Sequence, residues 1–220
     1  MCLMRTGDGS PTIYQKDIDE CYHSIHGALA ESRHVFIECG LMYRLTYLNI
    51  ALPGDIIKVF ELGFGTGLNA ALTAMKPYKV HYTAIEKYPL DFNLVHRLEF
   101  GENVDTELFR KLHSSSWEDF VTINDNFSLK KLTGDFLDFK TDELFDIIYM
   151  DAFSPEKQPE LWSDKSISKL SGMLAPGGIL TTYCAKGSIR RLFESFGLEA
   201  QRLPGPPNGK REILRLIKPL

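Results

Sequence analysis

Residues 59–69 read Val-Phe-Glu-Leu-Gly-Phe-Gly-Thr-Gly-Leu-Asn. The run is a short apolar strand ending in a carboxylate, three glycines at alternate positions, and the start of an amphipathic stretch. Gly63, Gly65 and Gly67 allow a tight strand-to-helix turn with φ > 0 and let a ligand approach bare backbone. A helix opening near Leu68 would direct free N–H groups into the same crevice. A dinucleotide fingerprint needs G-x-G-x-x-G, but Leu68 stands where the last glycine belongs. Glu61, just before the first glycine, suits a cationic ligand better than a pyrophosphate. The bland alternative is a tight turn in some other α/β protein.

Outward from this run, Val80–Glu86 reads as the next strand, and its final carboxylate follows the glycine turn closely. A carboxylate there can accept from both hydroxyls of a nucleoside ribose, although a strand-ending Glu is often merely solvated. The pattern acid-x-Gly-x-Gly-x-Gly resembles the first motif of class I S-adenosylmethionine (SAM) methyltransferases. That resemblance implies an α/β, Rossmann-like, doubly wound sheet of seven mostly parallel strands with an antiparallel C-terminal hairpin. It also implies SAM as methyl donor, held around Glu61, Gly63, Gly65, Gly67, Asn69 and Glu86.

The chain has 220 residues, with 25 basic against 29 acidic side chains and a net charge of −4. This is one ordinary domain. The charge excludes a broadly electropositive nucleic-acid surface but leaves room for a local patch. Cys2, Cys21, Cys39 and Cys184 are scattered, with no C-x-x-C pair and no histidine clustering, so reduced thiols and no metal are expected. Met1–Tyr14 lacks the apolar stretch of a signal peptide, and no apolar run approaches membrane-spanning length. A cytoplasmic enzyme with no membrane partner is the expectation.

Apolar strands alternate with amphipathic helices from about residue 56 onward, which implies a largely parallel sheet. Strands are expected near 57–62, 80–86, 145–151 and 179–184, and two short ones around Asn124-Asp125-Asn126. Helices are expected near 67–76, 90–97, 105–113, 160–173 and 187–196. The end, Glu199–Leu203 with Glu212–Ile217, reads as a hairpin. Residues 1–55 carry no glycine-loop logic and are expected to form a small β-rich extension of one 220-residue methyltransferase domain.

In an open doubly wound sheet, ligands bind at the carboxyl ends of the strands. Glu61, Glu86, Asp135 and Asp151 all stand at or just past strand ends and should converge there. Asp135 can accept from an adenine amine while Phe136 packs on the ring; a plain turn or cap Asp is the alternative.

The loop Asp151-Ala152-Phe153-Ser154-Pro155-Glu156-Lys157-Gln158-Pro159-Glu160-Leu161-Trp162 is similar to that of the methyltransferase domain of MnmC-type enzymes. The likeness extends to Gly27–Phe36, Leu62–Asn69, Pro176–Gly178 and the hairpin Gly209-Lys210-Arg211-Glu212. It implies N-methylation of an aminomethyl group on the wobble uridine, thiolated or not, of a tRNA anticodon stem-loop. Bifunctional members carry a second, FAD-dependent domain, for which these residues have no room. The resemblance therefore implies a stand-alone methylating form, using no FAD itself, whose substrate a separate FAD-dependent protein supplies. Asp151 is the candidate that orients the amine and takes its proton; a structural or cofactor-facing Asp is the alternative.

Phe153, Trp162 and Tyr183 are candidates for stacking on a flipped-out base, although such aromatics are commonly core. Lys157, Lys186, Arg190, Arg191, Lys210 and Arg211 are candidates for phosphate contacts, against a default of solvated charges. Arg33 is either a substrate contact or an ion-pair partner. Two other functions use the same fold: a spermidine-synthase-like aminopropyltransferase or other small-amine methyltransferase, and a non-catalytic subunit that binds RNA or a partner. The oligomeric state is open.

Overall fold

The computed structural model describes residues 1–46 and 55–220. Its centre is β4 (Ile57–Leu62), a near-continuous apolar run of the kind buried on both faces of a parallel sheet. Parallel β5 (Val80–Glu86) lies on one side of it and β8 (Phe145–Met150) on the other. β7 (Phe127–Thr133) extends the sheet beyond β5, and β9 (Leu174–Thr182) extends it beyond β8. The hairpin β10 (Glu199–Pro204) and β11 (Glu212–Ile217) closes that edge antiparallel.

The sheet has eight strands rather than the seven implied by resemblance. The extra strand is β6 (Phe120–Asn124), which turns through Asp125–Asn126 and pairs antiparallel with β7. Asn126 N–H donates to the Asn124 side chain at 2.9 Å, the local bond that makes Asn a turn former.

From β4 the chain moves through α3 (Leu68–Ala74) to β5, whereas from β8 it moves the opposite way through α6 (Asp164–Met173) to β9. Right-handed crossovers running in opposite directions put α3 and α6 on opposite faces. α5 (Thr106–Ser114) packs with α3, and α7 (Gly187–Ser195) with α6. The short α4 is Phe92–Val95.

β1 (Cys2–Arg5), β2 (Pro11–Gln15) and β3 (Glu20–Cys21) form a separate small sheet. Residues 28–46, expected in a β-rich extension, are instead helical: α1 (Ala28–Ser32), wide π-type turns over Arg33–Met42, and α2 (Tyr43–Thr46). Ala28, Leu29, Val35, Phe36 and Leu41 recur at helical spacing and all are buried, with Arg33–Met42 packed on β8 and β9 and α1 on α3. The start of α1 is capped from the β1–β2 turn, with Asp8 accepting Ala30 N–H at 3.0 Å and Ser10 Oγ accepting Ala28 N–H at 3.2 Å. The last part of the expected extension, 47–54, lies outside the described residues. Among the described residues, no helix is long and apolar enough to cross a membrane.

Candidate active site

Strand order reverses between β4 and β8, the position where a crevice opens at the carboxyl ends of a doubly wound sheet. A cavity of about 530 Å³ lies there. Its floor is the glycine turn. Gly63 has φ +93°, and a Cβ on it would lie 2.8 Å from the Asp151 carbonyl oxygen, so any side chain forces the two strand ends apart. Gly67 has φ +73° but faces away from the cavity, where a Cβ would meet His113 Nε2 at 2.8 Å. Its role is to let the turn pack on α5.

The strand-end acids fall into two layers. Glu86 lines the cavity, with its oxygens accepting Gly65 N–H at 3.0 Å and Tyr88 N–H at 2.9 Å. Those bonds fix the carboxylate and leave lone pairs for ribose hydroxyls. Asp135 also lines it, ion-paired to Lys87 at 2.8 Å and accepting Leu137 N–H at 2.8 Å. The Lys87 bond, foremost, holds Asp135 below the usual carboxylate range.

Glu61 does not reach the cavity. It is 1% exposed and sits one layer behind, accepting from Asn69 Nδ2 at 2.9 Å. The same amide nitrogen donates its other hydrogen to Asp151 Oδ2 at 2.7 Å. One amide thus ties two carboxyls from adjacent strands. Burial above all, then the nearby Asp151 charge, holds Glu61 well above the ordinary value. Strand alternation explains the displacement: Leu62 points where Glu61 was expected.

Asp151 lines the cavity at the end of β8, its N–H bonded to Leu62 O at 3.1 Å. Burial first, with the Glu31 charge added, pushes its carboxyl up to about 7, while Asn69 and Lys210 pull the other way. A carboxyl at that value exchanges protons readily near neutral pH.

Other predicted residues divide similarly. Phe153 lines the cavity, edge-on to Tyr22 at 5.0 Å, and Lys210 reaches it from the β10–β11 loop. Phe136 borders it but is only 2% exposed, its ring packed on Phe60 at 5.9 Å with Lys169 Nζ 4.7 Å from its centroid. That ring is core rather than an open stacking platform. Trp162 is also core: it is buried, with its indole N–H donating to Phe153 O at 2.8 Å, which pins the 151–162 loop. Lys157 pairs with Asp19 at 3.3 Å, Lys186 with Glu156, and Arg190 with Glu194 at 2.6 Å. Arg33 is exposed and donates to Asn103 Oδ1 at 3.0 Å, away from the cavity, and Arg211 is exposed outside it.

The N-terminal segment supplies residues that sequence reading missed. Tyr22 lies over Gly65. His23 Nε2 bonds Thr66 Oγ1 in the glycine turn at 2.6 Å, and burial pushes this imidazole down to about 4. Glu20 accepts from Ser154 Oγ at 2.7 Å. Glu31 lines the cavity and is 5% exposed. Its signal was readable, because Glu31 stands three after Ala28 and four before Val35, on the buried helix face.

Residues 81–219 match the family described as S-adenosyl-L-methionine-dependent methyltransferase. The bifunctional protein MnmC of tRNA 5-methylaminomethyl-2-thiouridine biosynthesis from Pseudomonas fluorescens is 32% identical to this chain, covering 90% of the chain and 32% of its own length. The protein of that name from Stutzerimonas stutzeri is 30% identical, covering 89% and 32%. The chain therefore spans about a third of the length of these curated relatives. The crystal structure of MnmC2 from Aquifex aeolicus shares the fold, with a TM-score of 0.80 at 24% identity over 99% of this chain and 72% of that one. The family match extends over more than half of the sequence, and the chain belongs to the S-adenosyl-L-methionine-dependent methyltransferase family.

Proposed function

We propose that this chain N-methylates the aminomethyl group of a tRNA wobble uridine, giving the methylaminomethyl group. The observation that carries the reading is Asp151, a carboxyl raised to about 7 at the floor of a cavity built on the glycine turn. The likeness over nine-tenths of this chain to proteins named for that uridine supports the choice of substrate.

SAM fits the donor set. The stretch Gly63–Thr66 that lines the cavity would hold its amino acid portion, Glu86 its ribose hydroxyls and Asp135 its adenine amine. Bound there, it would supply a methyl group on sulfonium, an electrophile open to in-line displacement. The rest falls to the chain. A primary alkyl amine with pKa near ~10 is neutral in about one molecule per ~1,000 at pH 7, a deficit of roughly 4 kcal/mol. Asp151, a buried carboxyl at about 7, takes its proton and frees the amine to attack. Asn69 keeps Asp151 oriented while Glu61 behind it holds Asn69. Phe153 offers its ring to the base. The aminomethyl group comes from a separate FAD-dependent step, and tRNA modification places the work in the cytoplasm.

The test is to incubate the protein with labelled SAM and tRNA from cells lacking this methylation, then identify nucleosides by mass spectrometry. One methyl gained on aminomethyluridine, and lost with Asp151→Ala, is the expected result. Methylation of small amines but never of tRNA would overturn the substrate.

A further inference from the structure

Glu31 is more buried than any solvated carboxylate should be, and half of it is unsatisfied. Its Oε1 accepts Ser24 N–H at 2.9 Å, while Oε2 has no hydrogen-bond partner. Buried carboxylate oxygens require a donor or a cation. The nearest cation is Lys210, whose Nζ lies 3.8 Å from Oε2, too far for a hydrogen bond. That ammonium sits 3.3 Å over the centroid of the Tyr183 ring. Tyr183 is held in turn by its hydroxyl, which donates to Ala152 O at 2.7 Å beside Asp151. The Lys210 charge also acts on Asp151. One primary ammonium thus rests on an aromatic face beside the Glu31 carboxylate, and Asp151 lines the same cavity wall. An aromatic face with flanking carboxylates is the general chemistry for holding an alkylammonium.

We propose that Glu31, Tyr183 and Asp151 form the subsite for the protonated acceptor amine, and that Lys210 occupies it until substrate arrives. This rests on the proposed amine methylation and adds the residue that receives the cation. Lysine ends in a primary alkylammonium, the same group as a protonated aminomethyl substituent. Lys210 stands in the loop between β10 and β11, its side chain 42% exposed, so it can leave without disturbing the sheet. Glu31 is then a substrate contact, and Asp151 is left free to receive the proton.

The probe is n-butylammonium, with n-butanol as its uncharged match, titrated into protein saturated with S-adenosylhomocysteine and followed by NMR. Wild type should bind the ammonium at least tenfold more tightly than the alcohol. Glu31→Gln, which keeps an acceptor for Ser24 N–H, should weaken ammonium binding about tenfold. Its affinity for S-adenosylhomocysteine and its thermal midpoint should not change. Lys210→Met should tighten ammonium binding severalfold by removing the occupant. Equal binding of ammonium and alcohol by wild type would overturn the subsite, as would a Lys210→Met protein that binds the ammonium no better. In turnover with tRNA, Glu31→Gln should raise KM about tenfold and leave kcat within threefold. Ammonium binding that depends on Glu31 without tRNA methylation would keep the subsite and reject the tRNA reading. Methylated tRNA with an unchanged KM in Glu31→Gln would do the reverse.

Discussion

Replacing Asp151 by Asn should make the protein more stable relative to wild type as pH rises, while removing its activity. The folded carboxyl stands at about 7, against 3.8 for the free group. Raising a carboxyl value on folding means the folded state binds the extra proton between those limits. Its stabilising contribution is therefore complete below about pH 4 and lost as pH rises through 7. At about 1.36 kcal/mol per pH unit, wild type should lose about 3 kcal/mol through this group between pH 5 and pH 8. The introduced amide cannot ionise, but its carbonyl can still accept from Asn69. Urea denaturation of both proteins at pH 5, 6, 7 and 8 measures the difference directly. His23 and His113 titrate in both proteins and cancel. Two stability curves that run parallel across this range would refute the buried, raised carboxyl. Methyl transfer by the variant should fall about 100-fold or more, the range for losing a general base, with S-adenosylhomocysteine affinity within threefold. Full turnover would refute Asp151 as proton acceptor.

Gly63→Ala should destabilise the fold by about 2–3 kcal/mol, because φ +93° is strained for Ala and its Cβ meets the Asp151 carbonyl. Thermal denaturation with and without S-adenosylhomocysteine should show a lower midpoint and a smaller shift on binding. His23, held neutral by burial down to about 4, stabilises above its ordinary 6.5 and loses that contribution as pH falls. Between pH 7 and pH 5, His23→Gln should therefore lose about 2 kcal/mol less than wild type in the same urea assay. Trp162→Ala should cost about 3–5 kcal/mol of stability as a buried large-to-small change. Its KM for acceptor, measured well below the unfolding temperature, should rise severalfold, since the indole pins Phe153 and packs edge-on against Tyr183 at 6.3 Å.

The central strands are legible in the sequence because their information is local. β4, β5 and β8 are apolar runs bounded by turn residues, and they lie where the pattern placed them. Glu86, Asp135 and Asp151 are legible at the cavity for the same reason, since a parallel sheet brings strand ends together, whereas Glu61 falls behind it. The helical segment over 28–46 carries apolar residues at helical spacing, but the β-rich expectation for 1–55 passed over that pattern. The two short strands expected around Asn124-Asp125-Asn126 are β6 and β7, and the count of seven implied by resemblance gives way to eight because β6 pairs with β7.

Local pattern therefore established the fold class and the glycine turn. Which acids share a surface is a long-range fact. Asn69 and Asp151 are 82 positions apart, yet one amide nitrogen joins Asp151 to Glu61. Trp162 and Phe136 carry the chemistry of stacking, but packing assigns them to the core. Glu31, Tyr183 and Lys210 come from three distant segments and meet only because the N-terminal helix and the C-terminal hairpin both close on the end of β8. Periodicity reports which way a side chain faces within its own element. Only the crossing of elements determines what it meets there, and the chemistry of this cavity is made of such meetings.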